Sequence, residues 1–193
     1  MNIYSSLSDP QVATMLQSGA VGILPTDTIF GIVAAANNKE AIAKLYEAKH
    51  REGKPGTMVA ASTDQLVDLG LDRQYVDKVA HLWPNSVSIV LPAGPQLSYL
   101  HQGKNSLAVR IPSNPDIHAL LEQTGPLLTS SANMPGEPSS NNVQEAQDYF
   151  GDTVDFYVEG DTSKNQASTV AMLHDDGTIE VLRQGAVVIE GGK

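Results

Sequence analysis

The residues best suited to chemistry stand in two short runs. The first is Pro25-Thr26-Asp27-Thr28-Ile29-Phe30-Gly31, where two hydroxyls flank a carboxylate after an apolar run from Ala20 to Leu24. The second is Lys49-His50-Arg51 with Lys54-Pro55, where three cations gather at an expected helix end. Small hydroxyl donors beside clustered cations suit a small polar substrate and a polyphosphate, because charged donors make the stronger hydrogen bonds to phosphate and carboxylate. The same residues also read as a capped strand-to-helix loop followed by an ordinary basic helix end, and short motifs alone do not separate the two. A third candidate is the alternation in Ser106 to Ile111. Leu107, Val109 and Ile111 face one way, and Ser106, Ala108 and Arg110 the other. That second face is small and polar with one cation, like the floor of a site, or else an edge strand with a solvated arginine.

These groups need elements to hold them. Asp9-Pro10 opens a helix, with Asp9 as N-cap and Gly19 as its stop, and Val12, Met15 and Leu16 form its apolar stripe. Val21 to Leu24 reads as a short buried strand. Lys39 to His50 reads as a helix with Ile42, Leu45 and Tyr46 inward. Further strands are expected over 57–61, 86–91, 106–111 and 126–130, and further helices over 72–83, 114–123 and 142–150. Ser168 to Leu173 and Thr178 to Leu182 form a hairpin around Asp175-Asp176-Gly177. Two Gly/Pro-containing stretches, 93–105 and 134–142, read as mobile loops able to act as lids. Strands and helices alternate without a strict βαβ repeat. The pattern predicts an α/β (α+β) fold in one domain over 1–193, with a mixed, twisted sheet flanked by helices.

Bulk properties narrow the function. The 41% hydrophobic and 18% charged residues fit a globular domain with a real core. No apolar run approaches the ~18 residues of a membrane span, and the start, Met1-Asn2-Ile3-Tyr4, does not look like a signal peptide. The absence of cysteine excludes disulfides, thiolate metal sites and cysteine nucleophiles, and fits a cytoplasmic protein. The five histidines, at 50, 81, 101, 118 and 174, stand at no metal-ligand spacing, so no protein-held metal is expected. Twelve Lys+Arg against 22 Asp+Glu give a net charge of −10, the wrong balance for a nonspecific nucleic-acid binder.

Leu127-Leu128-Thr129 runs into Ser130-Ser131-Ala132-Asn133. Together with Pro25-Thr26-Asp27-Thr28, Lys49-x-Arg51, Ala108-Val109-Arg110-Ile111-Pro112, Ser168-Thr169-Val170 and Arg183-x-Gly185, this resembles the YrdC family of threonylcarbamoyl-AMP synthases, over nearly the whole chain and in the family's order. The resemblance implies a three-layer YrdC-like domain with a central cavity, of the short, catalytic-domain-only type. It implies a nucleotidyltransferase that makes threonylcarbamoyl-AMP and pyrophosphate from L-threonine, bicarbonate and ATP with Mg²⁺. The product would pass to a downstream tRNA threonylcarbamoyl transferase complex for the t6A modification of adenosine 37 in tRNA, with weak direct tRNA binding and no membrane association. The alternative is a diverged paralog that binds nucleotide or RNA without this activity. By the same resemblance, Thr28, Arg110, Thr129 and Ser168 would hold L-threonine, with Arg110 gripping its carboxylate. Lys49 and Arg51 would be catalytic, neutralising phosphate charge. Lys49, Arg51, Lys54, Ser106, Ser131, Asn133, Ser139 and Arg183 would bind ATP.

The chain also departs from the family pattern. The usual Trp-Pro-Gly-Pro-x-Thr stands here as Trp83-Pro84-Asn85-Ser86-Val87-Ser88. The usual Lys-Pro-Leu is Lys54-Pro55-Gly56, and the first threonine of Thr-Ser-Ala-Asn is Ser130. Ala167-Ser168-Thr169 replaces a Pro- or Glu-Ser-Thr segment, and Val59 and Ala60 stand where several members carry a histidine.

Overall fold

The computed structural model describes residues 2–50, 53–162 and 166–189. Its strands are β1 (Asn2–Tyr4), β2 (Gly22–Pro25), β3 (Phe30–Ala35), β4 (Thr57–Val59), β5 (Val87–Pro92), β6 (Ser106–Arg110), β7 (Leu127–Ser131), β8 (Phe156–Val158), β9 (Thr169–Leu173) and β10 (Ile179–Arg183). Its α-helices are α1 (Pro10–Gln17), α2 (Lys39–Ala48), α3 (Thr63–Leu69), α4 (Arg73–Val79), α5 (Ser98–His101), α6 (Pro115–Thr124) and α7 (Val143–Phe150). Among the described residues the strands form one mixed sheet, ordered β1-β8-β2-β3-β7-β4-β6-β5-β9-β10. No helix described is long and apolar enough to cross a membrane.

The helices start where side chains supply the free backbone N–H groups. Asp9 accepts from Gln11 N at 2.9 Å, and Asn38, Ser62, Asp72, Asn114 and Asn142 cap α2, α3, α4, α6 and α7 in the same way. Each apolar stripe then goes to one face of the sheet. Val12 and Leu16 of α1, with Ile117 and Leu121 of α6, pack on Leu24, Val33, Val59 and Leu127. Ile42 and Leu45 of α2, with α3, α4 and α7, pack on Ile23, Ile32, Met58, Leu128 and Val109. The result is three layers. Fully burying each such Leu or Ile contributes about 1.5–3 kcal/mol, so the two stripes fix which face each strand residue presents.

The structure adds elements and trims others. β3 was not expected: Phe-Gly-Ile-Val-Ala-Ala is buried at every position, because helices cover both faces, so alternation is lost. β8 is buried throughout for the same reason, and β1 is held by parallel pairing to it. The helix expected over 72–83 is α4 followed by a 3₁₀ turn, Ala80–Leu82. The 93–105 stretch is no open loop. It contains a 3₁₀ turn, Pro95–Leu97, and α5, anchored by buried Leu97, Leu100 and His101. His101 holds this stretch by taking a hydrogen bond from Asn105 N at 3.1 Å and bonding Gly94 O at 3.1 Å. The 134–142 stretch is a loop, as expected, between β7 and α7.

Candidate functional site

The site follows from how the layers cover the sheet. α1 and α6 bury Val33, Val59 and Leu127. Two residues along each strand, the same face carries Gly31, Thr57 and Thr129, and beyond the helices these are apolar no longer. Arg110 on β6 lies opposite Val59 and joins them. The uncovered end is a cleft lined by Thr26, Thr28, Gly31, Thr57, Arg110, Thr129, Ser131, Ser168 and Arg183, among others. A second depression, lined by Lys49, Lys54, Ser131, Asn133 and Gly136, adjoins it at Ser131. Two depressions that share Ser131 therefore lie side by side, one hydroxyl-rich and one bearing two lysines.

Local chemistry fixes the hydroxyl end. Between β2 and β3 the Thr26 hydroxyl donates to Ile29 O at 2.6 Å and accepts from the N–H groups of Thr28 and Ile29 at 3.1 and 3.2 Å. Thr26 thereby ties the turn and places its hydroxyl 3.1 Å from that of Thr28. The tie turns Asp27 inward. Its carboxylate meets Arg110 Nη2 at 2.9 Å, with only 3% of the Asp27 and 4% of the Arg110 side chain exposed. Arg110 Nη1 donates to Ser88 Oγ at 3.2 Å, and Ser88 Oγ donates to Ser168 Oγ at 3.1 Å. Arg183 Nη2 donates to Ser168 O at 2.8 Å, bringing β10 to the same wall.

At the other end, Lys49 sits at the C-cap of α2 and is 2% exposed. Its Nζ donates to Ser131 O at 2.7 Å, to Asn133 O, and to Asn133 Oδ1 at 3.1 Å. Ser131 Oγ donates to Asn133 Oδ1 at 2.6 Å, so β7 and the residues after it are laced to the lysine.

Thr28, Arg110, Thr129, Ser168, Ser131 and Arg183 come together in the first cleft, and Lys49, Lys54, Ser131 and Asn133 in the second. Arg51 lies outside the described residues. Ser106 lines neither: it begins β6 opposite Pro92, about 13 Å from Arg110 at ~3.3 Å per residue. Ser139 faces a separate depression with Asn141, Glu145 and Asp148. Asp27 and Ser88 each take one hydrogen bond from the terminal nitrogens of Arg110, and its Nε is buried without a protein partner. Asp27, Ser88, Thr26 and Thr57 carry the site without having been assigned roles. Alternation could have found Ser88, which shares a strand face with its neighbour Arg110. Among the described residues no group of three His, Cys, Asp or Glu side chains could hold a metal ion.

The sequence that builds this cleft matches a known family. The Sua5/YciO/YrdC model, described as "Telomere recombination", matches residues 14–185. The chain belongs to the Sua5/YciO/YrdC family. Within that family it is 33% identical over 183 residues to a threonylcarbamoyl-AMP synthase of Vibrio campbellii, covering 91% of this chain and 97% of the relative. It is 35% identical over 182 residues to one of Photobacterium profundum, with the same coverage. Among solved family structures, a P. abyssi Sua5 variant superposes with a TM-score of 0.83 at 26% identity; it covers 96% of this chain, which spans 57% of that one.

Proposed function

We propose that this protein is a threonylcarbamoyl-AMP synthase. The observation that carries the reading is a hydroxyl-rich cleft with a carboxylate-paired arginine beside a depression with two lysines, the two sharing Ser131. A zwitterionic amino acid suits the first and a triphosphate the second. The named family relatives support the same reading.

In the reaction, the amine of L-threonine takes up bicarbonate with loss of water. A carbamate oxygen then forms a bond to the α-phosphorus of ATP as the bond to the pyrophosphate oxygen breaks. Such a step needs positioning and charge neutralisation rather than a protein nucleophile. Thr28, Thr129 and Ser168 hold the threonine, with the Nε–H of Arg110 toward its carboxylate. Lys49, Lys54 and Arg51 neutralise the triphosphate, with Ser131, Asn133 and Arg183 at its edges, and Mg²⁺ enters bound to ATP. Ser106 and Ser139 reach the nucleotide only if it extends beyond the two depressions or the 134–142 loop closes. The product passes in the cytoplasm to a tRNA threonylcarbamoyl transferase, with at most weak direct contact to tRNA.

The test is pyrophosphate release from ATP by purified protein with bicarbonate and Mg²⁺, with and without L-threonine. Threonine-dependent release is expected. Folded protein that binds ATP but releases no pyrophosphate would refute the reading and leave the diverged paralog.

A further inference from the structure

We propose that Ser86 is a positioning residue for Arg110, acting through Asp27, and that it sets affinity for the amino-acid substrate; the proposal rests on the threonine-site reading above. Ser86 falls in the stretch where this chain departs from the Trp-Pro-Gly-Pro pattern, so the device belongs to this protein rather than to the family motif.

The geometry is closed on every side. Asp27 presents two carboxylate oxygens. Oδ1 accepts from Arg110 Nη2 at 2.9 Å, and Oδ2 accepts from Ser86 Oγ at 3.1 Å. Without the second bond the carboxylate could rotate about its side-chain axis and take the guanidinium with it. Ser86 itself cannot drift. Its N–H donates to Asn85 Oδ1 at 3.0 Å, and its carbonyl accepts from Thr169 N at 3.1 Å. Asn85 N in turn donates to Ile111 O at 2.9 Å, just past the end of β6, which carries Arg110. The serine is thus pinned to both neighbouring strands, and its hydroxyl is aimed at a carboxylate that is almost wholly buried.

The consequence appears at Arg110. With Nη2 held by Asp27 and Nη1 by Ser88, the plane of the guanidinium is fixed and the buried Nε–H is left as an unpaired donor beside the cleft. A proline or glycine at position 86 offers no hydroxyl, so the orientation of Asp27 would rest on Arg110 alone. A hydrogen bond to a charged group is worth more than a neutral one, enough to change ligand affinity about tenfold when it only positions the contact.

The test compares Ser86→Ala, Ser86→Thr, Asp27→Asn and the Ser86→Ala/Asp27→Asn double variant. Steady-state kinetics are run in threonine and in ATP, and the Nε–H signals are followed by NMR in protein labelled at arginine Nε. The chain has four arginines, at 51, 73, 110 and 183, so the spectrum is simple to assign. In Ser86→Ala the KM for threonine should rise about tenfold with kcat within about twofold and the KM for ATP unchanged. Ser86→Thr, which keeps the hydroxyl, should restore it. Ser86→Ala should add nothing in the Asp27→Asn background, because the two act in series. The Arg110 signal should shift in Ser86→Ala while those of Arg73 and Arg183 stay in place. An unmoved Arg110 signal, or equal losses for threonine and ATP, would overturn the proposal. A wild-type protein without threonine-dependent turnover would overturn only the synthase reading, and the NMR result would still decide whether Ser86 positions Arg110.

Discussion

Gly56→Ala tests how tightly the floor of the cleft is built. Gly56 replaces the leucine usual after Lys-Pro in this family and immediately precedes β4. A Cβ placed there would stand 2.6 Å from Thr129 O and 3.2 Å from the Leu128 side chain. The first of these atoms is backbone and cannot swing away. It belongs to β7, whose Thr129 pairs with Thr57 of β4. Reaching an ordinary contact of about 3.4 Å would part the two strands by nearly 1 Å. Overpacking of this kind costs about 1–3 kcal/mol, and a weakened ladder hydrogen bond adds about 0.5–1.5 kcal/mol. Lower entropy of the unfolded chain returns about 0.4–1 kcal/mol. The net expectation is a loss of about 1–3 kcal/mol. At a urea slope of about 2 kcal/mol per molar, the midpoint should fall by roughly 0.5–1.5 M. Thr57 and Thr129 both line the cleft, so the KM for threonine should rise in the same variant. The sign decides: a midpoint that rises, as for an unstrained Gly→Ala change, would refute the close approach of β4 and β7.

Lys49→Ala should lower turnover at least about a hundredfold in the pyrophosphate assay, by removing a buried charge from the phosphate end, while circular dichroism shows the fold retained. Arg110→Ala should destabilise the protein by about 3–5 kcal/mol in chemical denaturation, because it strands the Asp27 carboxylate, and Asp27→Asn combined with Arg110→Met should recover most of that loss. L-Serine should remain a substrate with kcat/KM lower by about 10- to 200-fold, since the missing methyl is worth about 1–3 kcal/mol in a pocket. Raising the ionic strength from about 0.05 to 0.5 M should raise the KM for ATP several-fold and that for threonine far less, because ATP carries several negative charges and threonine is a zwitterion.

Much of this was legible in the sequence where side chains announce their own geometry. Asp9-Pro10, Asn114-Pro115 and Asn142 gave helix starts within a residue, because caps are local chemistry. The alternation of Leu107, Val109 and Ile111 placed Arg110 on the polar face correctly, as all three pack away from the cleft. β3 was not legible, because a strand buried on both faces has no period to read. The Asp27–Arg110 pair was not legible either. The two residues are 83 positions apart, and β3, β7, β4 and β6 must line up before their side chains meet. Sequence patterns could therefore find Arg110 but not its partner, the buried Asp27 carboxylate.

That partner explains how an acidic protein can present a selective site with few cations. A lone buried guanidinium would carry a large desolvation penalty and would attract any anion, phosphate included. Pairing Arg110 with Asp27 offsets its charge, which under the synthase reading suits that end to a zwitterion. Lys49 is held by the carbonyls of Ser131 and Asn133 and by the amide oxygen of Asn133. Arg110 thus meets a carboxylate across the sheet, whereas Lys49 ties the end of α2 to β7 and the residues that follow it.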